Sequence, residues 1–245
     1  MKVLIIGETC VDKFIYCNVN RLSPEAPVPV LNPFNTVTNA GMAGNTVANI
    51  QSLSPKSRVV ILGQIENIIK TRYIEQKSNH MFLRVDEGED KITPFKWGLD
   101  IDAIIGQSDI VIVSDYNKGY LSDIDLINIS RKSNLSILDS KRKLTNEVIE
   151  HFDFIKLNEG EYKNNQTLDH DGIIVTLGSK GAQHKGVVYP SKNPQETIDV
   201  SGAGDTFTAS FIVSYHDTLN IGSSIIYANN QASKVVSQRG VVTPK

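Results

Sequence analysis

Apolar runs of strand length recur along the chain: "VLIIG" (3–7), "RVVILG" (58–63), "DIVIVSD" (109–115), "LSILD" (135–139), "DFIKL" (153–157) and "GIIVTLG" (172–178). Most are continuous rather than alternating, the pattern of strands buried on both faces of a parallel sheet. Between several of them lie stretches with helical spacing, including 44–53, 122–133 and 143–151. In "SDIDLINISRK", Ser122 stands where a cap is needed and acids fill the first turn, where the helix dipole favours them. Two further helical patterns, about 206–216 and 221–237, close the chain. Strands alternating with helices predict an α/β fold, a three-layer sandwich around a mainly parallel central sheet.

Two stretches break that rhythm. "RLSPEAPVPVL" (21–31) holds three prolines and reads as extended, because proline fixes its own backbone and restricts its predecessor. "TRYIEQKSNHMFLRVDE" (71–87) alternates apolar and polar residues around a turn near Lys77 to Asn79, like a hairpin with one exposed face. Together they predict a small β-lid with strands within about 14–37 and 71–87. A plain surface connector is the other reading of the proline stretch. With no repeat and no long linker, residues 1–245 read as a single domain.

Composition narrows the function classes. The chain is 40% hydrophobic and 21% charged with a formal net charge of -2, and carries no basic tract. Sequence-independent nucleic-acid binding needs clustered cations, so that class is set aside. The opening "MKVLIIGETC" is too short for a signal peptide or a membrane span and reads as a buried strand. The expectation is a cytoplasmic protein without a membrane partner. Cys10 and Cys17 are the only cysteines and read as small core hydrophobes. The five histidines show no metal-ligand spacing.

The chemistry concentrates in "DVSGAGDTFTAS" (199–210). Gly202 and Gly204 permit close backbone approach, and a helix starting there aims free N–H groups at the same spot, which suits an anion. A carboxylate beside an anion is out of place unless it takes a proton from whatever attacks that anion. Phosphoryl transfer needs such a base together with anion-stabilising donors and a metal. A glycine turn that merely caps a helix is the structural alternative.

"SGAGDTF", together with "GMAGN" (41–45), "LNEGE" (157–161) and "TLGSKG" (176–181), resembles the ribokinase, or PfkB, family of sugar kinases through nearly the whole chain. "RLSPEAPVPV", "SDYNKG" (114–119) and "FLRVDE" (82–87) look most like that family's D-glycero-D-manno-heptose 7-phosphate kinases. The resemblance implies ATP and Mg2+ as cofactors and a homodimer joined through the lid. It implies Asp205 as general base and the N–H groups of Gly202, Ala203 and Gly204 as the anion hole. Asp12, Gly41 and Asn45 would bind sugar hydroxyls. Asn158 and Glu161 would organise magnesium and its waters. Thr176 and Gly178 would hold nucleotide phosphates, with Asn229 near adenine. Lys141, in "LDSK" beside Asp139, and Arg84 on the lid are candidates for a sugar phosphate. For Glu161 a solvated carboxylate early in a helix, and for both cations a solvated surface role, are the alternatives.

The sequence also departs from the family pattern. Met42 stands for a glycine of the substrate motif, Ser201 for a threonine, and Ser140 for the proline of Asp-Pro-Lys. Between "ILGQIENIIK" and "TRYIEQ" the chain passes almost directly into the hairpin, where the family usually carries a further helix and strand. The expectation is the kinase domain alone, without the nucleotidyltransferase domain that follows some heptose kinases. These readings leave a sugar kinase acting on a heptose phosphate, a kinase of another sugar or nucleoside, or a non-catalytic nucleotide or sugar binder.

Overall fold

The computed structural model describes residues 1–191, 202–238 and 242–244. Ser201 lies outside them. The larger sheet contains β1 (Lys2–Gly7), β4 (Arg58–Leu62), β7 (Ile110–Asp115), β8 (Ser136–Ser140), β9 (Phe154–Asn158), β10 (Ile173–Thr176), β11 (Ala182–His184) and β12 (Val187–Tyr189). Its order is β12-β11-β10-β9-β8-β7-β1-β4; the strands from β4 to β10 pair in parallel, and β11 and β12 add antiparallel.

The continuous apolar runs are explained by what covers each face. Val3 and Ile5 join one core with α1 (Ala43–Leu53), α6 (Ala203–Thr218) and α7 (Ile221–Val236). Leu4 and Ile6 join the opposite core with α2 (Ile101–Gly106), α3 (Asp123–Lys132) and α4 (Asn146–Ile149). Each fully buried isoleucine is worth roughly 1.5–3 kcal/mol, so both helical layers are held by the same strands. On one face Phe154 of β9 packs edge-on against Phe211 of α6, ring centroids 4.8 Å apart, which seats that helix on the sheet.

The smaller sheet has the order β3-β2-β5-β6, with β2 (Thr9–Leu22), β3 (Pro29–Met42), β5 (Ile69–Glu75) and β6 (Met81–Glu87). It leaves the larger sheet one residue after β1. Gly7 permits that exit, because a Cβ there would lie 1.9 Å from the Ser114 carbonyl oxygen. The direct passage between β4 and β5 is fastened by Gln64, whose side chain accepts from the Thr9 N–H at 2.9 Å and donates to the Thr9 carbonyl at 2.7 Å.

Several expectations need correction. The first pair of lid strands reaches beyond 14–37 at both ends, whereas the second begins at Ile69, two residues before 71, and ends at 87 as expected. The proline stretch is not extended throughout: the chain reverses over 23–28, with the Ser23 N–H bonded to the Val28 carbonyl, and only Pro29 opens a strand. Proline fixes φ near a value that serves turns and strands alike, so it could not choose between them. The helix expected over 143–151 contracts to α4, because Thr145 caps it late and Leu144 donates its N–H to Asn165. β11 and β12 were not foreseen; three residues are too few to show a period, although Lys185 and Gly186 between them both take the positive φ of a tight hairpin turn. Among the described residues no helix is long and apolar enough to cross a membrane.

Candidate active site

Parallel strands of an open α/β sheet present their carboxyl ends to a common crevice, and ligands bind there. At that edge lie Tyr116 after β7, Asp139 and Lys141 at the end of β8, Asn158 closing β9, and Thr176 closing β10. With the α6 turn they line a cavity of about 550 Å³. Gly202 is left-handed, at φ 78°, and turns the chain into α6. The first turn of a helix presents N–H groups that its own ladder does not use, and Gly202, Gly204 and Asp205 all line the cavity. Two sequence candidates for one chemistry, the anion turn and the base, are thus brought to one wall.

Asp205 is buried, third in the helix. Asn45 of α1 donates to its Oδ2 at 2.8 Å, and the Tyr116 hydroxyl donates to Oδ1 at 2.9 Å. Asn45 is steadied by Asn49, which donates to the Asn45 carbonyl and side chain and accepts from Thr206 at 2.8 Å. Burial pushes the Asp205 carboxyl up to about 6, and the nearby Asp139 charge adds to this; the bonds from Asn45 and Tyr116 and the charge of Lys156 pull the other way. A carboxylate poised there is ionised at neutral pH yet basic enough to take a proton.

Lys156 of β9 is 2% exposed and lies across the floor of the cavity. It donates to Asp139 at 3.0 Å, and a Cβ on Gly204 would come within 2.9 Å of its Nζ. Thr208 donates to the same Asp139 oxygen. Burial would raise the Asp139 carboxyl, but Lys156 and Lys141 outweigh it and hold it below the usual range. Lys141 also bonds Glu161 at 2.6 Å; burial would lower its ammonium, and Asp139 and Glu161 keep it raised instead.

Asn158 and Glu161 form a reciprocal capping box on α5 (Glu159–Asn164): Asn158 accepts the Glu161 N–H at 2.8 Å and Glu161 accepts the Asn158 N–H at 2.7 Å. Glu161 is therefore a capped and ion-paired carboxylate rather than a freely solvated one. Gly178, at φ 59°, opens onto the cavity below Thr176.

The lid residues form a second group. Asp12 is buried and ion-paired with Arg72. Gly41 is required beside it, since a Cβ would stand 2.2 Å from the Asp12 carboxylate and 2.5 Å from the Cys10 sulfur. Arg84 makes two bonds to Asp86 on its own strand, both at 2.8 Å. Asn229 is buried on α7 and donates to the Tyr189 carbonyl at 2.8 Å, tying β12 to that helix. Asp12, Gly41, Arg84 and Asn229 are not among the residues lining the cavity.

Sequence reasoning gave no role to Tyr116, Lys156 or Arg72. A lysine inside the apolar run "DFIKL" was a signal for Lys156, since a buried ammonium demands a partner. Nothing local distinguishes Tyr116 or Arg72.

The sequence model of the pfkB family of carbohydrate kinases matches residues 103–245, more than half of the chain. The bifunctional protein HldE of Cronobacter sakazakii is 25% identical over 290 positions, covering 98% of this chain and 61% of that protein. HldE of Gluconacetobacter diazotrophicus is 28% identical over 300 positions, with 98% and 61% covered. The chain thus spans about 61% of the length of these relatives. Among solved structures, ribokinase of Thermotoga maritima has a TM-score of 0.74 at 14% identity, covering 98% of this chain and 94% of that one. A nucleoside kinase of Methanocaldococcus jannaschii has a TM-score of 0.70 at 18% identity, with 98% and 93% covered. Ribokinase of Arabidopsis thaliana, solved with ribose and ATP, has a TM-score of 0.67 at 16% identity, with 97% and 93% covered. These likenesses establish a ribokinase-like fold.

Proposed function

The chain belongs to the pfkB family of carbohydrate kinases, and from that premise we propose that residues 1–245 act as one unit transferring the γ-phosphoryl group of ATP to a hydroxyl of a heptose 7-phosphate. The observation that carries the mechanism is the buried Asp205 carboxylate, held by two neutral donors in the first turn of α6.

The acceptor hydroxyl gives its proton to Asp205 as its oxygen attacks phosphorus. The N–H groups of Gly202, Ala203 and Gly204 take the charge that builds on the equatorial oxygens, in a setting where preorganised donors act most strongly. Asp12, Gly41 and Asn45 form the sugar side. Lys141 holds the sugar phosphate as a point charge, with Arg84 as a second candidate on the lid. Thr176 and Gly178 lie along the nucleotide phosphates, and Asn229 stands on the adenine side.

Mg2+ suits the oxygen donors at the start of α5, since it keeps several waters and takes few protein ligands beside phosphate. Among the described residues no cluster of three or more acidic, histidine or cysteine side chains offers a closed cage. Asn158 and Glu161 would hold it through water, and its charge would there offset that of the phosphates. Needing ATP, the reaction belongs in the cytoplasm.

The curated relatives named HldE support the heptose reading, and the Lys141 ammonium at the cavity supports a phosphorylated sugar. The lid exposes Phe34, Met81, Leu83 and Val85, an apolar surface that fits pairing with a second copy of the chain.

The test is magnesium-dependent ADP release from ATP with D-glycero-D-manno-heptose 7-phosphate, ribose, fructose and fructose 6-phosphate, with Asp205→Asn alongside. Turnover with the heptose phosphate, lost in the variant, is the expected result. Turnover of a simple sugar alone keeps the mechanism and discards the heptose. Nucleotide binding without turnover of any sugar favours a non-catalytic binder.

A further inference from the structure

One contact to Asp205, from the Tyr116 hydroxyl, takes no part in the proton transfer itself. Tyr116 stands in the loop after β7, and its position is fixed at every point. Glu8, fully buried between β1 and β2, accepts the N–H groups of Tyr116 and Lys118, both at 2.9 Å. Before it, Asp115 is held by two bonds from Arg142 and one from Ser140, and accepts the Asn117 N–H. The ring packs against Cys10, Met42 and Ile68 of the lid side. Two ammonium groups flank it, Lys70 at 5.9 Å and Lys141 at 5.7 Å from its centre. Two buried carboxylates, Glu8 and Asp115, thus anchor the loop that delivers one hydroxyl to Asp205.

Resting on the kinase reading, we propose that Tyr116 is a positioning residue for phosphoryl transfer: its hydroxyl bonds one oxygen of the Asp205 carboxylate, favours the ionised group and keeps it open to the acceptor's proton. Asn45 occupies Oδ2 and Tyr116 occupies Oδ1, so the carboxylate cannot rotate without losing a bond. Each oxygen keeps a second lone pair for the incoming proton. Burial, then Asp205 and Asp139, push the Tyr116 phenol well above its ordinary value, so at working pH it only donates.

The groups around this pair are Asp139 and Lys141 of β8 and its end, Lys156 of β9, Cys10 of β2 and Lys70 of β5. Asp139 is held low, Lys141 is held high, and burial pushes the Cys10 thiol up to about 12. An acidic limb near pH 6 in the turnover profile therefore reports Asp205. The Tyr116 bond favours the ionised form, so its loss moves that limb to higher pH.

The variant is Tyr116→Phe, which keeps the ring and removes the donor. Two readouts follow wild type, Tyr116→Phe and Asp205→Asn: turnover against pH, and the 13C resonance of labelled aspartate carboxyls, with Asp205→Asn assigning the signal. The expected result is a midpoint shifted upward by about one unit, with kcat about tenfold lower on the acidic limb and largely recovered above pH 8. A uniform loss at all pH values with an unmoved carboxyl midpoint overturns the proposal. If no sugar is phosphorylated, the kinase reading fails while the carboxyl titration still decides whether Tyr116 acts on Asp205. Should Tyr116→Phe fail to fold, the labelled Tyr116 ring of the wild type gives the answer. Its shift should follow a midpoint near 6 and lose that transition in Asp205→Asn; a flat response overturns the coupling.

Discussion

At the scale of single residues, Asp205, the proposed base, carries a cost that its burial predicts. Asp205 has a folded value of about 6 against an ordinary 3.8, so between those values the folded state binds the extra proton and stability falls as pH rises. Asp205→Asn removes that dependence. It should cut turnover about 10²–10⁴-fold. It should also raise stability above pH 6 by about 2–3 kcal/mol, a gain that fades as pH falls toward 4; urea titrations at both ends of that range check the sign. Met42 carries a different strain. It stands immediately before α1 at φ 55° and ψ -133°, a region that favours glycine, while its side chain is buried against Cys10 and Ile68. Any truncation loses the burial, but only glycine also relieves the backbone. Met42→Gly should therefore be about 1 kcal/mol more stable than Met42→Ala in urea, the reverse of the usual order in a helix.

Among the secondary elements, α5 shows how one pair of side chains can serve two ends. Glu161 caps the helix through Asn158 and also holds Lys141. Glu161→Gln keeps a capping side chain at the same position, so its stability should stay within about 1 kcal/mol of wild type. Glu161→Ala should lose about 1 kcal/mol more. If the proposed magnesium role holds, Glu161→Gln should still need more Mg2+ for half-maximal turnover. The element scale is also where the sequence was most legible: the six parallel strands fall within a residue or two of their apolar runs, five of them with buried residues, while β4, at the sheet edge, is only partly covered. α4 and the β11–β12 hairpin were less legible, since short elements are decided by caps and neighbours rather than by periodicity.

For the molecule as a whole, the exposed apolar face of the lid predicts association. Leu83→Asp on β6, where Leu83 is half exposed, should shift the proposed homodimer toward monomer in sedimentation while leaving the thermal unfolding of the monomer nearly unchanged. Apolar runs and helix caps are local properties, and through them the sequence by itself determined the layered α/β architecture, the hairpin of the lid, and the glycine turn that sets an aspartate at a helix start. Only the tertiary structure decided what surrounds that aspartate. Its partners Tyr116 and Asn45 lie 89 and 160 residues away along the chain, and Lys156 reaches Asp139 from a neighbouring strand. Such meetings depend on strand order and register, which bring distant side chains to one edge of the sheet without leaving a period in the sequence.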